Sequence, residues 1–350
     1  MNADFTFIDK TLGHALENKK LSILQLIRLK SKIAAMSPVL FDLSLPSLTA
    51  ALRSGMTVVK DVRVCVQPDS DQIIQAYRLG CKQIKVCLAE KPGEKLPFSA
   101  AEAFKLAKGW NMAVTLHFTG GYPVGRKLNY LSRTVTRYNI DSVVFDAEYR
   151  ALDPMVTYGT LLALQQQLSC LVEYYGRNGK GLATGNALSA IKSGVRRVAV
   201  SVGGVGGYPA FEEVLMGVFC LLKFPVSVPG DLALYCKQIL SSIDQSVSPT
   251  KPIIGADIFA HESGIHVDGV NKKSDLYEPF SPETVGLSRK IVIGKHSGRA
   301  AIEIKLKEMN RSLPQTAVLQ VLERVRSLAI RQKAPVSDQQ LSKFIHEAAL

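Results

Sequence analysis

Eight short apolar runs recur along the first 200 residues, and a longer amphipathic stretch follows each of them. Strands that alternate with helical segments predict a parallel sheet covered by helices. Eight such units predict a closed (β/α)8 TIM barrel. The predicted strands are Phe5–Leu12, Val39–Leu45, Asp61–Val66, Gln83–Ala89, Met112–Phe118, Ile140–Ala147, Cys170–Tyr175 and Arg197–Gly203.

A doubly wound open sheet is the alternative fold. It usually carries a glycine-rich phosphate-binding loop after the first strand. The residues at that point are Leu12-Gly-His-Ala, which do not form such a loop. The pattern therefore favours the barrel.

A proline-rich turn, Ser248-Pro-Thr-Lys-Pro252, ends the alternating pattern and predicts a domain boundary. The barrel domain is predicted over 1–248, and a linker with a small, mostly helical C-terminal extension over 249–350. The helices predicted in this extension are Ala300–Met309, Gln315–Gln332 and Ser337–Ala349.

Composition excludes several classes of protein. The chain has 43 basic and 30 acidic residues, but the basic residues are scattered and accompany no nucleic-acid-binding motif. No apolar run is long enough to cross a bilayer, and the N-terminus lacks the features of a signal peptide. The six cysteines form no CxxC pair, which favours a reducing compartment. We therefore expect a cytoplasmic protein that binds neither nucleic acid nor membrane.

Two histidine-containing segments follow the boundary. The first reads His261-Glu-Ser-Gly-Ile-His266, with Tyr277 eleven residues further on, and the second reads Gly294-Lys-His-Ser-Gly-Arg299. Both segments resemble the region after the catalytic barrel in the homocitrate synthase and isopropylmalate synthase family, especially the nitrogenase-associated homocitrate synthases.

The resemblance implies a metal-dependent TIM barrel that condenses acetyl-CoA with a 2-oxo acid. In such enzymes the divalent metal polarises the carbonyl of the oxo acid. The resemblance also implies a dimer in which the C-terminal extension enters the partner's barrel. His266 and Tyr277 would then act in trans, as proton-transfer groups in the partner's active site.

The barrel departs from the family at the positions that hold the metal. The family's first strand ends in Asp-x-Thr-Leu-Arg-Asp, where this chain has Gly13 for the arginine and His14 for the metal-binding aspartate. The seventh strand of the family ends in His-x-His-Asn, where this chain has Tyr175, Arg177 and Asn178. Imidazole, phenol and guanidinium are poor ligands for magnesium. We therefore expect this chain to bind no metal or other cofactor, and expect acetyl-CoA and a divalent metal in an active partner.

Three functions remain open. The first is a subunit of a homocitrate-synthase-like acyltransferase that is inactive in its own barrel and complements an active partner. The second is a free-standing condensing enzyme with altered metal or substrate use. The third is a non-catalytic regulatory protein that binds small carboxylates. Arg177, Asn178 and Glu148 are the candidate substrate-binding residues.

Several residues also have simpler interpretations. His266 is compatible with a packed histidine in a structural turn. Tyr175 and Arg177 are compatible with residues that fill an emptied pocket. His14, His117 and Glu148 are candidates for a new metal site at the strand ends.

Overall fold

The computed structural model describes residues 5–19, 21–57, 60–88, 96–119, 126–147, 152–262 and 278–349. The chain divides into two compact units. The first comprises 1–228 and 234–247, and the second comprises 229–233 and 248–350.

The first unit contains a closed barrel of eight parallel strands in sequence order, with β1 and β8 paired to close the ring. Ile8 on β1 lies opposite Leu40 on β2 and Ala199 on β8. The TIM-barrel prediction is confirmed. The strands are β1 Thr6–Asp9, β2 Val39–Ser44, β3 Val62–Val66, β4 Gln83–Leu88, β5 Ala113–Phe118, β6 Ser142–Asp146, β7 Leu171–Tyr175 and β8 Arg197–Val200.

Helices follow the strands and bury their apolar faces. Ser22 and Gln25 form a capping box at the start of α2, and Asp153 accepts hydrogen bonds from two backbone amides at the start of α7. The helices of this region are α1 Thr11–Asn18, α2 Ile23–Met36, α3 Leu45–Arg53, α4 Ser70–Arg78, α5 Phe98–Gly109, α6 Arg126–Tyr138, α7 Pro154–Gln167, α8 Ala183–Lys192, α9 Phe211–Cys220 and α10 Leu232–Ser242.

The first strand is shorter than predicted. It ends at Asp9, and α1 begins at Thr11, whereas the apolar pattern predicts a strand as far as Leu12. The carboxylate of the buried Asp9 accepts a hydrogen bond from the Leu12 amide at 2.9 Å. This bond satisfies an amide at the helix N-terminus that has no partner within the helix. The chain therefore begins α1 at Thr11, and the side chains of Thr11 and Leu12 remain buried.

The second unit is built around three helices, α11 Arg299–Glu308, α12 Gln315–Gln332 and α13 Asp338–Ala348. Their apolar faces form one core that includes Ile302, Val321 and Leu341. Two short parallel strands, β9 Ala260–His261 and β10 Lys290–Ile291, also belong to this unit. The predicted helical extension is confirmed. Among the described helices of the chain, none has the length and apolar character needed to span a bilayer.

Candidate functional site

Four charged side chains lie inside the barrel, and each is flanked in the sequence by apolar residues. Asp42 lies on β2, Arg63 on β3, Lys85 on β4 and Glu173 on β7, and all four are at most 3% exposed. Alternate residues of a strand point to opposite faces, so each apolar neighbour faces the helices and each charge faces the barrel axis. A buried charge is costly unless an opposite charge and hydrogen bonds compensate it.

The carboxylate of Asp42 is the centre of this cluster. Its Oδ1 accepts a hydrogen bond from Arg63 Nε at 2.7 Å. Its Oδ2 accepts one from Tyr175 Oη at 2.5 Å and one from Lys85 Nζ, while Lys10 Nζ lies 3.4 Å away. Three donors therefore surround one carboxylate oxygen.

Arg63 connects Asp42 to the second buried carboxylate. Its Nη1 donates to Glu173 Oε2 at 2.7 Å and to Thr115 Oγ1 at 2.9 Å, and its Nη2 donates to Tyr175 Oη at 2.7 Å. Glu173 also accepts a hydrogen bond from Arg197 at 3.1 Å. The guanidinium thus links strands β2, β3, β5 and β7.

These contacts fix the charge states of the cluster. Burial alone would raise the pKa of Asp42, but the charges of Arg63, Lys85 and Lys10 hold that pKa well below its usual value. Burial alone would lower the pKa of Lys85, but Asp42 raises it well above its usual value. Burial raises the pKa of Tyr175 well above 10, so its hydroxyl remains protonated.

A cavity of about 140 Å³ opens at the ends of the strands above this cluster. His117 Nε2 lies 2.8 Å from Asp146 Oδ2 at its wall, and burial lowers the pKa of that histidine. The guanidinium carbon of Arg177 lies 3.8 Å from the centre of the Tyr208 ring. The lining residues are Lys10, Lys85, Cys87, His117, Thr119, Asp146, Tyr175, Gly176, Arg177 and Tyr208.

Two of the candidate residues at the end of β7 reach this region. Tyr175 points into the barrel, where its hydroxyl joins the Asp42 cluster. Arg177 lines the cavity and donates from Nη1 to the Gly206 carbonyl at 2.5 Å.

Asn178 and His14 are not among the residues that line the cavity. Asn178 is exposed, and its side-chain oxygen accepts a hydrogen bond from the Ala183 amide at the start of α8. His14 lies on α1, where its Nδ1 is 3.3 Å from Asn18 Nδ2, and it is not among the residues that line the cavity. Glu148, His266 and Tyr277 lie outside the described residues.

The residues at the centre of the site were not predicted from the sequence. The candidates came from the ends of the strands, whereas Arg63 and Lys85 lie within strands β3 and β4. A single basic residue in each of two apolar strands, Val62-Arg63-Val64 and Ile84-Lys85-Val86, was the available signal. In a barrel strand whose apolar residues on either side face the helices, such a residue must face the interior.

Potential metal ligands do not gather anywhere in the part of the chain that the structure describes. Within those residues no three His, Cys, Asp or Glu side chains stand close enough together to hold a metal ion. His117, one member of the candidate metal site at the strand ends, is hydrogen-bonded to Asp146, and Glu148 lies outside the described residues.

The two histidine-containing C-terminal segments contact each other. Glu262 Oε1 accepts a hydrogen bond from the His296 amide at 2.9 Å. Glu278 accepts two hydrogen bonds from Arg289, at 2.9 and 2.6 Å, and lies 3.6 Å from His261 Nε2. The described residues on both sides of 263–277 are therefore held by charged contacts.

Solved structures of low sequence identity share the fold. The HMG-CoA lyase of Acinetobacter baumannii superimposes with a TM-score of 0.57 at 15% identity and covers 71% of this chain and 94% of its own. Hydroxymethylglutaryl-CoA lyase of Pseudomonas aeruginosa gives a TM-score of 0.53 at 14% identity, with 69% and 92% covered.

Sequence comparison identifies the family. Residues 253–333 match the model described as "Homocitrate synthase post-HMGL domain-like". Homocitrate synthase 1 of Nostoc is 37% identical over 56% of this chain and 53% of its own, and the homocitrate synthase omega subunit of Clostridium pasteurianum is 34% identical over 53% and 52%. 2-Isopropylmalate synthase 2 of Caldanaerobacter subterraneus is 33% identical over 81% of this chain and 75% of its own. The chain therefore belongs to the homocitrate and isopropylmalate synthase family.

Proposed function

We propose that the chain is a subunit of an acetyl-CoA-dependent enzyme that condenses 2-oxo acids, and that its own barrel is inactive. In this proposal the chain lends His266 and Tyr277 to the barrel of an active, homocitrate-synthase-like partner. The observation that carries the proposal is the charge of the barrel interior. Lys10, Lys85 and Arg177 line the cavity at the strand ends, together with Tyr175, which stands at a position where the resemblance to the family implies a metal ligand.

The residues at this site do not fit a hard dication. Magnesium and similar ions require several oxygen ligands, usually carboxylates. Asp42 already compensates Arg63 and Lys85, and the ammonium groups of Lys10 and Lys85 stand next to its Oδ2. A dication at this place would meet two ammonium groups at close range, which repel it strongly in a poorly solvated site.

The C-terminal unit supports the role in trans. Glu262 and Glu278, which flank 263–277, are both engaged by residues of the same unit. These contacts involve His296 and Arg289, outside the barrel. The described residues next to 263–277 therefore have partners within the second unit. The name of the Clostridium relative, an omega subunit, supports a division of this activity between unlike chains.

The direct test mixes the purified chain with an active paralogue from the same organism and measures release of CoA from acetyl-CoA and a 2-oxo acid. We expect the mixture to exceed the activity of the paralogue alone, and we expect His266→Ala and Tyr277→Phe to abolish the increase. His346→Ala is the matched control, because His346 is exposed on α13. An unchanged rate on mixing, or turnover by this chain alone, would contradict the proposal.

A second candidate function is supported by the same cationic cavity. A regulatory subunit that binds small carboxylates needs cationic groups at a small opening, which Lys10 and Arg177 provide. This regulatory function predicts that small carboxylates stabilise the chain and that the activity of a partner does not depend on His266. The His266→Ala mixing experiment separates the two functions.

A further inference from the structure

The cavity contains a pair of lysines that share one carboxylate oxygen. Lys85 Nζ donates to Asp42 Oδ2, and Lys10 Nζ lies 3.4 Å from the same atom. The two side chains differ in access, since that of Lys85 is 3% exposed and that of Lys10 is 16% exposed. Lys10 is therefore the member of the pair that a molecule in the cavity meets first.

Asp42 holds the two amines unequally. Its carboxylate makes short contacts with Arg63, Lys85 and Tyr175, while its contact with Lys10 is the longest of the four. Asp42 therefore has two cationic partners, Arg63 and Lys85, that are closer to it than Lys10.

The surroundings of Lys10 suit a small oxo acid. Its ammonium lies 5.8 Å from the centre of the Tyr175 ring and 5.6 Å from that of Tyr208, so two aromatic rings flank it. The guanidinium of Arg177 at the same cavity favours a carboxylate. A cavity of about 150 Å³ accommodates benzene, and pyruvate has as many non-hydrogen atoms as benzene.

We propose that Lys10 is a nucleophilic amine that forms a reversible imine with the carbonyl of a small 2-oxo acid in this cavity. The Lys10 ammonium first releases a proton to water at the cavity opening. The neutral amine then attacks the C2 carbonyl, and a carbon–nitrogen bond forms as the carbonyl oxygen becomes a hydroxyl. That hydroxyl leaves as water, so amine and oxo acid give imine and water with no oxidant or reductant.

Tyr175 is placed to assist the loss of water. Its hydroxyl and Lys10 Nζ both contact Asp42 Oδ2, which places them side by side. The departing hydroxyl takes a proton from water at the cavity opening, and the Tyr175 hydroxyl, which burial keeps protonated, can orient it by a hydrogen bond. This binding reaction requires neither a metal nor the proposed role of His266 and Tyr277 in a partner.

The test is reductive trapping on the full chain. The protein is incubated with pyruvate or 2-oxoglutarate and sodium cyanoborohydride, and the modified lysine is located by peptide mass spectrometry. We expect an adduct on Lys10 whose yield saturates with oxo acid concentration, with pyruvate favoured by the size of the cavity. The adduct should be lost in Lys10→Arg and retained in Lys105→Arg, an exposed lysine on α5.

Labelling spread over surface lysines, labelling that rises linearly without saturation, or an adduct on Lys85 instead of Lys10 would overturn the proposal. Peptide mapping of the labelled wild-type protein identifies the modified lysine even if Lys10→Arg folds poorly. Trapping is measured without a partner subunit. A negative result here therefore leaves the mixing experiment unaffected, and the reverse also holds.

Discussion

Arg63 Nε lies 2.7 Å from Asp42 Oδ1, and both side chains are at most 1% exposed inside the barrel. A barrel interior usually consists of layers of apolar side chains. Here the Asp42–Arg63 ion pair occupies part of that space, and Lys85, Glu173 and Tyr175 are hydrogen-bonded to it. Neutralising one of the four charged side chains leaves a buried partner without its opposite charge.

Asp42→Asn should strongly destabilise the first unit. The substitution leaves Arg63 and Lys85 with less negative charge in a buried site, and loss of one partner of a buried pair costs about 3–5 kcal/mol. Urea unfolding at pH 7 measures the change in free energy of unfolding. Asp61→Asn is the control, because the Asp61–Lys30 pair is partly exposed and such pairs contribute about 1 kcal/mol or less. Equal effects of the two variants would show that the buried pair does not stabilise the fold.

Glu173→Gln should make stability less sensitive to acid. Burial alone would raise the pKa of Glu173, but Arg63 and Arg197 lower it below its usual value. A carboxylate with a lowered pKa stabilises the protein above its unfolded pKa of about 4.3, and this stabilisation is lost as pH falls through the folded pKa. The variant should therefore be less stable than the wild type at pH 7, with a difference that shrinks below about pH 4. Unfolding curves between pH 7 and 3 measure it, and a constant difference would contradict the assignment.

Asp9→Asn should show the opposite dependence. Burial raises the pKa of Asp9 to about 6, against the hydrogen bonds from Leu12 and Thr11. A carboxyl group with a raised pKa is favourable when protonated, so its contribution declines as pH rises from about 4 to about 6. An increase of about two in pKa corresponds to about 3 kcal/mol. The stability of Asp9→Asn relative to the wild type should rise by about that amount across this window, as measured by urea unfolding, and then remain level.

The fold was predictable because its signal is spread over many residues. Each strand of the barrel is buried, so each reads as an apolar run, and all eight predicted runs contain an observed strand. The end of β1 was less predictable. Leu12 and Ala15 are buried in α1 as they would be in a strand, so apolar character alone does not separate the two structures.

The candidate site was only partly predictable. Tyr175 ends the seventh strand and Arg177 follows it, and a family pattern pointed to both. No family pattern points to Arg63 and Lys85. Their importance arises from contacts with Asp42, which lies 21 positions before Arg63 and 43 positions before Lys85 in the sequence. Which charges meet inside a barrel depends on the register of neighbouring strands, and that register joins residues far apart in the sequence, such as Asp42 and Arg63.

Added metal should not stabilise the chain. A ligand that binds only the folded state at a hundred times its Kd raises the free energy of unfolding by about 2.7 kcal/mol. The wild type should show no increase in Tm with Mn²⁺ or Mg²⁺ beyond that given by sodium chloride of equal ionic strength. The variant His14→Asp/Tyr175→His/Arg177→His restores a carboxylate and two imidazoles at the family's ligand positions. Comparing each protein with and without metal removes any change in stability from the substitutions themselves. A specific rise in the Tm of the wild type would show that a dication binds despite Lys10 and Lys85. A free-standing condensing enzyme would then be the favoured function.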